Sequence, residues 1–108
     1  MITRINVKPL SVNEAYKGRR FRTNKYNDYE KAVLFLLPKI TLPPPPYKIS
    51  FEFGLSSASG DWDNLIKPLQ DILQKKYLFN DKDIFKGTAT KFKVAKGNEY
   101  FTFNIESL

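Results

Sequence analysis

The chain has 108 residues, 42% hydrophobic and 15% aromatic, enough for one packed domain (1–108) and too short for two ordinary ones. It contains no cysteine and no histidine, which excludes disulfides, zinc ribbons, iron–sulfur clusters, thiol nucleophiles and every Ser-His-Asp arrangement. The net charge is +7 from 18 basic and 11 acidic residues, and nine of the basic but only three of the acidic ones precede Tyr47, a pattern expected of proteins that grip phosphates.

Residues 2–8 alternate polar and apolar, which predicts a short strand with Ile5 and Val7 on one face. Residues 8–22 read as irregular, broken by Pro9, Ser11, Asn13 and Gly18. The stretch "YKGRRFRTNKY" sets Lys17, Arg19, Arg20, Arg22 and Lys25 among aromatics. From Asn24 or Asn27, either of which is a capping residue, Tyr26, Tyr29, Val33, Leu36 and Leu37 recur at helical spacing until Pro38. The prolines at 43–46 predict a stiff polyproline connector rather than a peptide ligand.

"YKISFEFGL" is the clearest strand, with Tyr47, Ile49, Phe51, Phe53 and Leu55 on one face. A second helix follows to about Lys76, capped by Asp61 or Asp63, with Leu65, Leu69, Ile72 and Leu73 as its stripe and Pro68 in a loose or kinked first turn. After the turn "YLFNDKD" come two strands, 84–94 and 100–105, expected to form a hairpin at Gly97 and Asn98. The order β-α-β-α-β-β predicts an α+β, two-layer single domain: a mixed sheet of about four strands with two helices on one face. No apolar run approaches the ~20 residues of a membrane span. "MITRINVKPL" lacks the apolar centre of a signal peptide, and the absence of cysteine fits a reducing cytoplasm.

Without histidine, catalysis would run on carboxylates, Lys, Tyr, Ser or Thr with a hard, oxygen-bound cation. The candidate is "GDWDNLIKPLQDIL". Residues two apart in an extended approach to a helix point the same way, so Asp61 and Asp63 face one point. Capping accounts for one carboxylate. The second repels the first unless a cation lies between them. Lys67, four residues after Asp63, sits above it on a helical face, placed for a surface ion pair or to neutralise a phosphate. Asn64 offers an amide to a carboxylate or a backbone phosphate, and Asp71 reads as solvent-facing or a structural partner. Asp81 and Asp83, in the turn after the helix, are placed to return toward the first pair. The spacing leaves both readings open, a metal site or a cap plus a solvated turn.

"DWDNLIKPLQDIL" followed by "FNDKDI" resembles the core of the RusA-type Holliday junction resolvases, whose pattern is Asp-x-Asp-Asn-x-x-Lys-x-x-x-Asp-x-Leu and then an acidic turn entering a strand. Asp61, Asp63, Asn64, Lys67, Asp71 and Leu73 match, and Pro9, Asn13 and Tyr16 fit the family's early loop more loosely. The resemblance implies a small homodimeric endodeoxyribonuclease, bacterial or phage-encoded, that nicks four-way and other branched DNA in recombination and repair with Mg²⁺ or Mn²⁺. It implies Asp61, Asp63 and Asp81 as metal-binding acids, with Asp83 a rival for the third place, and Lys67 as the catalytic lysine. "SSASG" stands where some relatives carry arginines, so DNA contact falls to Asn13, Tyr16, Lys17, Arg19, Arg20, Arg22, Lys25 and Asn64. The competing expectation is a non-catalytic, basic DNA-binding protein with a structural acid cluster.

Overall fold

A computed structural model describes residues 2–17, 21–57 and 61–108. It is a mixed α+β fold. Strand β1 (Thr3–Ile5) leads to a short helix α1 (Val12–Ala15), a two-stranded arm β2 (Tyr16–Lys17) and β3 (Phe21–Arg22), helix α2 (Asn24–Leu36) and strand β4 (Tyr47–Leu55). A 3-10 turn (Trp62–Leu65), helix α3 (Ile66–Tyr77), a second 3-10 turn (Asp81–Asp83), strand β5 (Ile84–Lys93) and strand β6 (Tyr100–Ser107) complete it. No helix among the described residues is long and apolar enough to cross a membrane.

The four-stranded sheet has the order β1-β6-β4-β5. Strand β4 forms as its alternation predicts: Tyr47, Ile49, Phe51, Phe53 and Leu55 are all buried. Strand β6 lies antiparallel beside it and sets Phe101, Phe103 and Ile105 against Phe53, Phe51 and Ile49. Tyr26, Tyr29 and Val33 of α2 and Leu69, Ile72 and Leu73 of α3 close over this apolar row, giving one core. On the other face Tyr100 lies over Gly54, where a Cβ would stand only 2.2 Å from the tyrosine Cε1. The Arg4 guanidinium stacks on that ring at 3.9 Å.

Four local expectations are corrected. The hairpin of the last two strands does not form: β5 and β6 flank β4, β5 in parallel and β6 antiparallel. A turn does lie at Gly97, whose φ is +96°, but it carries the chain across β4, because the apolar row of β6 matches that of β4 and β5 has no such row. The irregular stretch contains α1, capped by Ser11, whose Oγ accepts from the Glu14 amide at 3.3 Å. Neither Asn24 nor Asn27 caps α2; Thr23 does, accepting from the Tyr26 amide at 3.2 Å. The proline run bends at 44–46 instead of continuing as a rod. Pro68, third in α3, falls in the first turn, where a missing N–H leaves no helical bond unmade.

Candidate functional site

Asp61 and Asp63 lie at the end of the sheet where β4 finishes. A cleft of about 290 Å³ joins Leu55 and Ser56 to Leu65 of the first 3-10 turn and to Ser11 and Glu14 beside α1. Asp61 occupies the N-cap position of that turn, yet its side chain makes no capping hydrogen bond. Asp63 is the second residue of the turn, and both carboxylates are exposed. Among the described residues neither forms an ion pair. Capping therefore does not account for the pair.

Lys67 does not stack on Asp63. Residues 62–65 wind as a 3-10 turn and the α-helix starts only at Ile66, so the one-turn partner of Lys67 lies ahead, not behind. Its Nζ donates to Asp71 Oδ2 at 3.2 Å. The Tyr16 hydroxyl donates to the same oxygen at 3.1 Å. Asp71 is thus a structural partner that ties the base of the arm to α3. Burial, then the adjacent Asp71 charge, raises the Tyr16 phenol above its ordinary pKa. Thr23 fixes the other side of the arm: its amide donates to the Ala15 carbonyl at 3.0 Å, and its hydroxyl to the Glu14 carbonyl at 2.6 Å.

The basic residues of the arm divide. Arg22 pairs with Glu30 at 3.8 Å and lies 4.7 Å from the centre of the Tyr26 ring. Lys25 pairs with Glu14 at 3.5 Å. Both are ion-paired at the surface and remain exposed. Lys17 and Asn13 are exposed, and Asn64 is half-buried in the first 3-10 turn. Arg19 and Arg20 lie outside the described residues. Two exposed rings escaped the sequence reading. Phe21 lies on the arm and Trp62 stands between the two aspartates, 73% and 55% exposed. The signal for Trp62 was the lone tryptophan of the chain set inside Asp-x-Asp.

Asp81 and Asp83 do not return to Asp61 and Asp63. They form the 3-10 turn that enters β5, and β5 starts beside Tyr47, not beside Leu55. Phe79, just before that turn, packs on the Tyr47 ring with centroids 6.0 Å apart. Strand β4, about 26 Å long at 3.3 Å per residue, runs between the two ends of the sheet at which the acidic pairs stand. Among the described residues no group of three or more carboxylates lies close enough together to hold a metal ion. The donors present at one end, two carboxylates, suit a hard cation that fills the rest of its shell with water and substrate phosphate. No family model and no curated protein matches this sequence.

Proposed function

We propose that this chain is a metal-dependent endodeoxyribonuclease acting on four-way and other branched DNA, with Asp61 and Asp63 holding Mg²⁺ or Mn²⁺. The observation that carries this reading is the uncapped, exposed Asp61–Asp63 pair on the turn that leads into α3. The cation, when bound, would supply an activated water and charge stabilisation at phosphorus. The protein's own groups position the substrate. Asp71 holds the Lys67 ammonium one helical turn into α3, where it neutralises a phosphate oxygen. Tyr16 braces the arm rather than touching DNA. Lys17 and Asn13 face outward to meet the phosphate backbone, and Trp62 offers a ring to a base beside the acids.

If Asp81 is the third acid, one copy cannot supply it to its own Asp61 and Asp63. A homodimer would have to bring Asp81 of one copy to the pair of the other. This reading makes an unusual demand: Asp63→Asn and Asp81→Asn proteins, each inactive alone, regain nicking when mixed. The test is a nicking assay on a synthetic four-way junction with Mg²⁺, beside gel shift in EDTA. Junction binding without cutting by wild type, in Mg²⁺ and in Mn²⁺, would sink the nuclease reading and leave a basic DNA-binding protein. Cutting by wild type and by the doubly substituted Asp81→Asn/Asp83→Asn protein alike would mean that two acids suffice.

A further inference from the structure

Among the described residues strand β5 is the outermost strand of the sheet, with β4 on one side and no strand on the other. It is ten residues long, and seven of them are exposed. A strand in this position turns about half of its N–H and C=O groups outward without partners. An edge of this length ordinarily invites another strand. Its composition argues against an identical one: from residue 84 to residue 98 there are four lysines and no acid. Like charges set against each other across a strand pair destabilise it.

The same edge fits a polyanion. Lys86 and Lys93 are exposed, and Lys96 follows in the turn beyond. By register Lys86 stands beside Lys48 on the open face of the sheet, while Lys93 stands beside Leu55 on the helix side. The edge therefore presents positive charge to both sides. Two rings interrupt the lysines. Phe85 is 69% exposed and Phe92 is 43% exposed. Phe85 falls where the ladder slips one residue, between Tyr47–Ile84 and Lys48–Lys86. Such a bulge re-aims a side chain. The two rings are about 23 Å apart along the strand at 3.3 Å per residue.

We propose that the outer edge of β5 binds an unpaired strand of DNA, its phosphates on Lys86, Lys93 and Lys96 and its bases stacked on Phe85 and Phe92. Stacking needs bases free of a partner, which a duplex does not present. The proposal rests on the reading that DNA is the substrate. It adds a second contact surface, because β5 also touches the 3-10 turn that holds Asp63. A strand leaving the acids then has a basic path along the sheet edge.

Fluorescence anisotropy in EDTA, on a labelled thymidine oligonucleotide and on a blunt duplex, tests this with the full chain. The doubly substituted Lys86→Glu/Lys93→Glu and Phe85→Ala/Phe92→Ala proteins run beside wild type, with thermal melts to show that they fold. Charge reversal should weaken oligonucleotide binding at least about tenfold and flatten its salt dependence by about 0.7 per lost phosphate contact. Loss of the rings should weaken it by about tenfold per ring while duplex binding changes less than about twofold. Folded variants that bind the oligonucleotide as wild type does would overturn the proposal while leaving the nuclease reading intact. So would variants that change the association state in sedimentation without changing affinity per chain, since β5 would then pair copies. Wild-type protein that binds neither the junction nor the oligonucleotide would remove the DNA reading and this proposal together.

Discussion

Strands β4 and β5 share one parallel ladder and differ in almost everything else. Every second residue of β4 is an aromatic or aliphatic side chain buried between β6 and the helices. Strand β5 is longer, yet Gly87, Lys91 and Lys93 stand level with Ile49, Phe53 and Leu55. The same pairing geometry thus serves a core strand and a surface strand. What separates them is the side chain at the inward register and whether a helix lies over it.

The largest expected effect breaks the core side of the comparison. Phe53 is fully buried, so Phe53→Ala should lower stability by about 3–5 kcal/mol in a urea titration. A drop under about 1 kcal/mol would mean the core collapses around the gap. Next is Gly54, the neighbouring residue on the opposite face. A Cβ there meets the Tyr100 ring, so Gly54→Ala should cost about 1–3 kcal/mol. The loss should shrink in a Tyr100→Ala background if displacement of the ring is its cause.

The third test addresses the helix layer that shields β4. Burial pushes the Tyr26 phenol of α2 up to about 12 from 10.0, and raises Tyr29 as well. The unfolded chain releases these protons near pH 10 while the folded protein keeps them. Stability should therefore be level below pH 10 and fall as pH rises through the folded value, by at most about 1.4 kcal/mol per pH unit for each tyrosine. Tyr29→Phe should make that decline shallower, and an unchanged slope would count against the assignment. The smallest effect is expected on β5. Phe92→Ala should change stability by less than about 0.5 kcal/mol, and a larger loss would reveal a covered face on that strand.

The legible parts of the sequence were those where pattern and burial coincide. The alternation of "YKISFEFGL" gave a strand with the observed limits, and the stripe of Leu65, Leu69, Ile72 and Leu73 gave a buried helix face. Ser11 and Glu14 form a capping signature three residues apart, so α1 is legible among the breakers around it. The route of β5 and β6 was not readable from their turn. "KGN" closes a hairpin as well as it carries a chain over a third strand, and only the apolar row of β6 decides. At the candidate site, spacing placed Asp61 and Asp63 in one extended approach, whereas only Asp61 is extended and Asp63 already lies inside the 3-10 turn. Spacing also misplaced Lys67, because a 3-10 turn replaces the first helical turn, and it misplaced Asp81, because a parallel crossover delivers the chain to the far end of the sheet.

The sheet order also sets a problem in time. Strand β1 pairs with β6, Thr3 with Phe103 and Ile5 with Phe101, a loop on the order of a hundred residues to close. The β4-α3-β5 unit is local by comparison and can assemble first. In that order Phe51 and Phe53 stand half-covered until β6 pairs beside them, and β1 docks after that. Refolding should accordingly be slow for a domain of this size, with the aromatic slot of β4 as the surface most exposed to mispairing while it waits.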